Sequence, residues 1–329
     1  MKEVKEENST NDKIEKRSVK WVLILFYIYL HILGVIGMYF LLTRAKWMTV
    51  FYFLFLVTIS LIGLTAGAHR LYAHRTFVAI GQLRLFIMLS QTLAGVGSIF
   101  NSVFWHRIHH KYYGTERDPY NHKKGFLYSH VISNFLSAPS DIETYARSID
   151  MRDINEDGYM FIQRKFYWIL FIVFGLLLPI KVPMAYWDES IANSFLIIGA
   201  TRLMITTHIA WLVNSALLIW GLEKGAKYPV DDNSVFFVSK SYWLNYHYIL
   251  AWDYKSDEFG KYNAGFATFI IKMWRELGLI SEMKTSTSND VRDALCKIAT
   301  SEMTLKEALA EMQKNAEAIA YREKLMFQY

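Results

Sequence analysis

The chain has 329 residues, of which 53% are hydrophobic and 16% aromatic, and its formal net charge is +6 at pH 7. This composition favours a membrane protein. The basic excess indicates contact with anionic lipid headgroups and not with nucleic acid, because the sequence shows no P-loop, zinc-finger spacing or interleaving of basic and aromatic residues. The single cysteine, Cys296, excludes a disulfide framework.

Four apolar stretches predict an all-α integral membrane protein with four transmembrane helices. The predicted spans are about 21–43, 47–68, 166–185 and 191–221, and an apolar helix of some 20 residues crosses ~30 Å of hydrocarbon. The fourth stretch is interrupted by Arg202 and His208. We expect Arg202 to face a cytosolic cap or the headgroups, or to pair with an acidic residue.

The charges beside the first span predict the topology. Residues 1–20 read as a charged, disordered tail with six Lys/Arg, whereas the turn at 43–47 carries two. The positive-inside rule therefore places the N-terminus in the cytosol, and four spans return the C-terminus to the same side. From about Ile280 the chain is polar with helical spacing, so we predict a solvated, cytosolic C-terminal helical tail over residues 281–329.

Residues 85–104 form a weaker apolar stretch between the second and third spans. Their Gly, Ser, Gln and Asn content makes a fifth span marginal. Such a span would also place the two histidine clusters "HRLYAH" and "HRIHHK" on opposite membrane faces. If these clusters share one site, the stretch must lie on the cytosolic surface or re-enter the membrane.

The second histidine cluster has the spacing of a metal site. His106, His109 and His110 are at i, i+3 and i+4, so a helix places all three imidazoles on one face. Converging neutral imidazoles are a common way to bind a transition metal. The alternative is a solvated basic helix face, because Arg107 and Lys111 lie in the same run.

The other histidines carry weaker signals. His69 and His74 are at i and i+5, about 140° apart on an ideal helix, so they converge only if the helix frays or ends there. His31 is interpreted as a polar residue that faces the helix bundle, and His122 and His130 as surface or structural groups.

Four sequence phrases together resemble the membrane-bound acyl-CoA desaturases of the stearoyl-CoA desaturase type. They are "TAGAHRLYAHRTF", "HRIHHKYYGTERDPYNHKKGFLYSH", "WLVNSALLIWG" and "NYHYILAWDYKS", and the resemblance runs from about Trp21 to Leu279. It implies a membrane desaturase domain over residues 21–280, with four spans and a cytosolic helical cap that carries the histidine boxes. It also implies an endoplasmic reticulum protein in which nine histidines hold two irons.

The resemblance further implies the reaction and its participants. Such enzymes use dioxygen and electrons from a b-type cytochrome to insert a cis double bond into a long-chain acyl-CoA. Matching positions imply a metal contact through water from Asn214 and substrate binding by Trp211. The histidines that match ligand positions are His69, His74, His106, His109, His110 and His247.

Three of the nine ligand positions are substituted, which predicts an incomplete di-iron site. Leu218, Leu244 and Tyr248 stand where the family has histidine. Leucine has no lone pair, and a phenol with a pKa near ~10 is a poor ligand for ferrous iron. Iron occupancy is therefore expected to be reduced or lost.

Other departures fall on substrate-facing positions. An Arg-Asp pair that handles the CoA headgroup in the family is Phe104 and Trp105 here, and an Arg-Lys pair is Ser137 and Ala138. Among the positions that line the acyl kink, only Trp211 matches. The substituted kink positions are Val96, Ser102 and Ala210.

Three hypotheses follow. The first is an acyl-CoA desaturase with an incomplete di-iron site. The second is a catalytically inactive desaturase-like protein that binds lipid or regulates an active partner, as a homodimer or as a heterodimer with another desaturase. The third is a membrane protein of different chemistry with a mononuclear metal site.

Overall fold

The computed structural model describes residues 17–215, 247–256 and 263–326, which are mostly helical. Leu218, Leu244 and the predicted end of the fourth span at 216–221 lie outside the described residues. The described α-helices in chain order are α1 (Trp21–Thr43), α2 (Trp47–Ile62), α3 (Gly81–Ala94), α4 (Ile99–Lys111), α5 (Phe126–His130), α6 (Ile142–Arg147), α7 (Arg152–Asn155), α8 (Gly158–Leu170), α9 (Leu178–Tyr186), α10 (Ile191–Asn193), α11 (Arg202–Ser215), α12 (Phe266–Glu276), α13 (Ser288–Ala299) and α14 (Leu305–Met326).

Among the described residues, three π-helical segments and two strands complete the framework. The π-helical segments are Gly63–Ala73, Phe171–Leu177 and Ser194–Thr201, and 3₁₀ turns occur at His122–Lys124 and Ile132–Phe135. Strands β1 (Phe77–Ala79) and β2 (Ile280–Met283) pair antiparallel. This small sheet, which the sequence analysis did not predict, joins the chain just after His74 to the end of the membrane domain.

In the part of the chain that the structure describes, four helices are long and apolar enough to cross a membrane, which confirms the predicted all-α membrane architecture. Their bounds are Trp21–Thr43, Trp47–Ala73, Gly158–Tyr186 and, within the described residues, Ile191–Ser215. The third helix starts earlier than predicted because the side chain of Asp157 accepts hydrogen bonds from two main-chain N–H groups of its first turn. Its backbone kinks at Phe166, where the apolar stretch begins.

The apolar stretch after the second span folds as two helices, α3 and α4, bent by 85°. Gly95 ends α3 in a left-handed conformation (φ 76°), and a Cβ there would lie 2.5 Å from Leu203 Cδ2. Gln163 and Tyr167 of the third span accept hydrogen bonds from the main-chain N–H groups of Ile99 and Gly97 in this bend. The bend returns α4 toward the end of the second span, as a site shared by the two histidine clusters requires.

Arg202 is fully buried between helices, so the prediction that it faces the cap, the headgroups or an acid is wrong. Its guanidinium donates to the carbonyl of Ile198 at 2.8 Å and to the carbonyls of Leu93 and Gly175. A buried cation is tolerated when main-chain oxygens satisfy its N–H groups. Arg202 therefore joins the C-terminal end of α3 to the third and fourth spans.

Both predicted tails have described residues that pack against the rest of the protein, whereas residues 1–16 of the N-terminal tail lie outside the described residues. Lys20 donates its main-chain N–H to the carbonyl of Phe135, and Ser137 donates its main-chain N–H to the carbonyl of Ser18, so the end of the predicted disordered tail is bound to the segment at 135–137. The C-terminal helix is not solvated on all sides. Its face toward α13 and the segment at 250–252 is buried through Ala308, Met312 and Ala316.

Candidate metal centre

The second span reaches the cap through π-helical turns, which bring its two histidines together. In a π-helix each N–H bonds to the carbonyl five residues earlier, so residues five apart share a face. The N–H of His74 donates to the carbonyl of His69 at 3.1 Å, and the helix ends at Ala73. The sequence predicted that His69 and His74 converge only if the helix frays or ends near them, and the helix does end between them, at Ala73.

Five of the six predicted ligand histidines meet in one cluster, which we call the five-histidine site: His69, His74, His106, His110 and His247. One ring nitrogen from each lies within 4.8 Å of all the others. The second span, α4 and the segment at 247–249 each contribute to the cluster. Residues from three distant parts of the chain thus converge in a largely buried position.

Three of these imidazoles point the same nitrogen at one another. The Nε2 atoms of His69 and His106 are 2.8 Å apart, and Nε2 of His74 lies 3.0 Å and 2.9 Å from them. Each Nε2 carries either a proton or a lone pair. At least one of the three pairs of nitrogens therefore places two protons or two lone pairs against each other. A metal ion accepts all three lone pairs at once. Nitrogens at 90° around one ion, each about 2.0–2.1 Å away, are about 2.9 Å apart.

The remaining two imidazoles also fit a metal. Both ring nitrogens of His247 and Nε2 of His110 are buried. Within the described part of the chain, none of these three atoms has a hydrogen-bond partner. Burial, with smaller contributions from neighbouring charged and imidazole groups, lowers the pKa of His74, His110 and His247 well below the ordinary value. It lowers the pKa of His106 to about 3. The imidazoles are therefore neutral and available as ligands.

Asn214 fixes the tautomer of one imidazole. Its Oδ1 accepts a hydrogen bond from Nδ1 of His106 at 3.1 Å, which leaves the lone pair of His106 on Nε2, the atom inside the cluster. Arg107 holds the end of the second span by donating to the carbonyls of Tyr72 and Ala73, and it pairs with Asp153 at 2.7 Å. None of these three Arg107 contacts was predicted from the sequence, in which Arg107 was interpreted as part of a possible solvated helix face.

The structure does not bring His109 into the five-histidine site. Nδ1 of His109 donates to Asp118 at 2.8 Å, and Nε2 lies 2.7 Å from the hydroxyl of Tyr248. Burial, with Tyr113 and Asp118 nearby, raises the pKa of Tyr248 well above its ordinary value, so Tyr248 is a phenol that donates to His109. The substituted position thus contacts a retained histidine directly.

A cavity of about 230 Å³ opens beside the cluster and reaches the fourth span. It is lined at one end by His69 and His106 and elsewhere by Trp211 and Tyr27, whose rings are 5.1 Å apart. The four positions that the family resemblance assigned to the acyl kink all line this same cavity: Val96, Ser102, Ala210 and Trp211.

Three further histidines form a row of side-chain hydrogen bonds that was not predicted from the sequence. His31 bonds to His208 at 2.9 Å, His208 to His130 at 3.0 Å, and His130 to Ser215 at 2.9 Å. These contacts support a structural role for His31 and His130, although His130 is buried and not at the surface. Because its two ring nitrogens are hydrogen bonded to His31 and His130, His208 does not replace a missing metal ligand.

Comparison with known proteins identifies the family. The chain is 35% identical over 273 residues to an acyl-CoA Delta-9 desaturase of Acheta domesticus, covering 82% of this chain and 76% of that protein. It is 36% identical over 269 residues to an acyl-CoA Delta-12 desaturase of Tribolium castaneum (80% and 75% covered) and 32% identical over 277 residues to stearoyl-CoA desaturase 5 of Homo sapiens (83% of each). The chain belongs to the acyl-CoA desaturase family. No family model matches it.

Membership in the acyl-CoA desaturase family agrees with the four spans and with a histidine cluster that could hold metal. It does not determine the position of a double bond, because the names of these relatives specify different positions.

Proposed function

We propose that this protein carries out oxygen-dependent insertion of a cis double bond into a long-chain fatty acyl-CoA, using a di-iron site of the desaturase type that is incomplete. The observation that carries the proposal is the convergence of five neutral histidines beside the cavity that contains Trp211. The desaturase relatives support the same reaction class and a role in unsaturated fatty acid biosynthesis.

The residues of the chain have distinct tasks in this proposal. The five-histidine site would hold iron, which when bound supplies the activation of dioxygen needed to remove hydrogen from an unreactive carbon. Asn214 keeps His106 in the tautomer that can bind metal. Trp211, packed against Tyr27, forms a wall of the cavity and orients the acyl chain against the site. His109 is not assigned to the metal here, because both its nitrogens already have partners.

The overall reaction consumes one dioxygen, two electrons and two protons, removes two hydrogens from adjacent carbons, and releases two waters. The electrons would come from a b-type cytochrome. We place the protein in the endoplasmic reticulum membrane with both termini in the cytosol. The six Lys/Arg before the first span support the cytosolic termini and so a histidine site on the side of a cytosolic electron donor, whereas the endoplasmic reticulum is the location that the family resemblance implies.

A second candidate is a catalytically inactive desaturase-like protein that binds lipid or regulates an active partner. The observation that favours it is the hydrogen bond between Tyr248 and His109. Tyr248 stands at a position expected to supply a metal ligand, but its hydroxyl donates to Nε2 of His109, one of the retained histidines. The uncharged pairs Phe104–Trp105 and Ser137–Ala138 point the same way, because they remove charges expected to face the CoA phosphates.

The first test is the number of iron ions per chain in detergent-purified protein expressed with ample iron, followed by an assay of product from a saturated acyl-CoA with dioxygen and a reduced b-type cytochrome. Bound iron with double-bond formation supports the desaturase proposal. Iron-free protein that binds acyl-CoA and forms no product overturns it in favour of the second candidate. One iron with a different oxidised product would indicate mononuclear chemistry.

Two variants sharpen this test. The triple variant Leu218→His, Leu244→His and Tyr248→His restores the expected ligand set, and a gain in iron and activity over wild type would show that the substitutions limit the centre. His247→Ala is the matched control, because it removes a member of the five-histidine site. If His247→Ala retains the wild-type iron content, this cluster is not the metal site.

A further inference from the structure

Tyr248, His109 and Asp118 form a hydrogen-bonded triad beside the five-histidine site. The Tyr248 hydroxyl lies 2.7 Å from Nε2 of His109, and Nδ1 of His109 lies 2.8 Å from Oδ1 of Asp118. The side chains of His109 and Asp118 are 1% and 0% exposed. Solvent is therefore excluded from the central bond of the triad, between the imidazole and the carboxylate.

Donor and acceptor roles in the triad have only one consistent assignment. The Asp118 carboxylate can only accept, so Nδ1 of His109 carries the proton and Nε2 has the lone pair. The phenol of Tyr248 then donates to Nε2. This is the arrangement in which a carboxylate orients an imidazole as a proton acceptor for a hydroxyl. Here the hydroxyl is a phenol, which can lose an electron as well as a proton.

The ring of Tyr248 is stacked between the ring of His110, a member of the five-histidine site, and the ring of Tyr113. It lies 4.8 Å from the ring of His110 at an interplanar angle of 27°, and 4.0 Å from the ring of Tyr113 at 25°. Tyr113 in turn stacks on His122 at 4.8 Å. His110 belongs to the five-histidine site. The phenol is thus in ring contact with a candidate metal ligand and hydrogen bonded to a base.

We propose that Tyr248 is a redox-active tyrosine that exchanges one electron with an oxidised transition-metal ion held by the five-histidine site. The step is balanced. Tyr248 loses one electron, which reduces the metal ion by one unit, and its phenolic proton moves to Nε2 of His109. The products are a neutral tyrosyl radical and an imidazolium paired with Asp118. One electron from a one-electron donor, with return of the same proton from His109, restores the phenol.

This role rests on the proposed function only for its physiological oxidant. It provides a route by which an oxidising equivalent leaves the metal site when no acyl chain lies in the cavity. The stack continues through Tyr113 to His122. A tyrosine at the substituted position then supplies one-electron chemistry where the family resemblance predicts a ligand.

The test oxidises metal-free, full-length protein with a photogenerated ruthenium(III) polypyridyl complex and follows radicals by freeze-quench electron paramagnetic resonance. Wild type is expected to give a long-lived tyrosyl signal that narrows when ring-deuterated tyrosine is incorporated. Tyr248→Phe, which keeps the stacked ring, should lose this signal. His109→Gln should lower its yield at least about tenfold, since a positioned base commonly speeds proton transfer by about 10²–10⁴-fold.

Tyr120→Phe is the matched control, because Tyr120 packs edge-on against His109 at 5.4 Å without a hydrogen bond to it. It should keep the wild-type signal. Circular dichroism and thermal melting show whether each variant is folded, and the isotope result in wild type needs no variant. If the long-lived signal persists in Tyr248→Phe, or if His109→Gln leaves it unchanged, the proposal is wrong. The assay contains neither iron nor acyl-CoA, so its outcome does not depend on desaturation.

Discussion

Gly95→Ala should destabilise the protein through the bend that positions α4. Gly95 has φ 76° and ψ 22°, a left-handed conformation that costs an L-residue about 1–2 kcal/mol. Its new Cβ would lie 2.5 Å from Leu203 Cδ2 and 2.8 Å from Phe171 Cε2, and such overpacking typically costs about 1–3 kcal/mol. The expected total is about 2–5 kcal/mol, which is the sum of the backbone cost and the overpacking cost.

Gly97→Ala provides the matched control for this estimate. Gly97 also has a left-handed conformation, φ 95°, but a Cβ there would have no atom of the described residues within 4 Å. It should therefore show the backbone cost without the collision. The melting temperature in detergent should fall for both variants and fall further for Gly95→Ala. With about 2–4 °C per kcal/mol at 150–250 residues, and less for this longer chain, the difference between them should be a few degrees.

The same pair of variants tests the link between the bend and the candidate metal centre. A collision at Gly95 displaces α4, which carries His106 and His110, relative to the second span. Metal affinity should therefore drop more in Gly95→Ala than in Gly97→Ala. Equal melting temperatures for the two variants would refute the reasoning, because the packing contribution would then be absent.

Three further predictions concern the histidines and the buried arginine. His247→Ala should weaken Co²⁺ or Zn²⁺ binding by more than the about 10–100-fold typical of losing a residue that only supports a ligand, as measured by competition with a chelator. Arg202→Met should lower stability by about 2–5 kcal/mol in thermal unfolding, since it leaves buried carbonyls without donors; an unchanged midpoint would count against that account. Because the pKa values of His74, His106 and His110 are lowered on folding, the unfolded chain binds more protons below about pH 6.5. Metal-free protein should therefore lose stability as the pH falls from there, by up to about 1.4 kcal/mol per pH unit for each group, and show a flat profile above pH 7; His106→Asn should reduce the slope.

Hydropathy was sufficient to predict the membrane helices because lipid-facing side chains must be apolar along the whole helix. It was less informative where a helix leaves the hydrocarbon. The third helix extends back to Gly158 through residues that include Arg164 and Lys165, and a cap at Asp157, not a change in hydropathy, sets its start. Arg202 was misjudged because its partners are main-chain oxygens, which no pattern of charged residues reveals.

The candidate site was predictable in composition but not in geometry. Spacing along one helix correctly grouped His106 with His110, yet it also grouped His109, whose ring turns toward Asp118 and Tyr248. The convergence of His69 with His74 depends on π-helical winding in a segment that packs against α3 and α4, and residue spacing alone predicts neither the winding nor this packing. Some contacts join residues more than one hundred positions apart, such as Asn214 and His106, and only the folded structure reveals them.

The energetics of the five-histidine site argue that it is built for a ligand. A buried polar atom without a partner costs about 1–3 kcal/mol, and His110 and His247 together bury three ring nitrogens that have no hydrogen-bond partner among the described residues. The close triangle of His69, His74 and His106 adds at least one unfavourable contact between like groups. A fold that kept these five side chains only for packing would be more stable with apolar residues in their place. A metal ion can accept one lone pair from each of the five imidazoles, so metal binding should raise the melting temperature of wild type far more than that of His247→Ala.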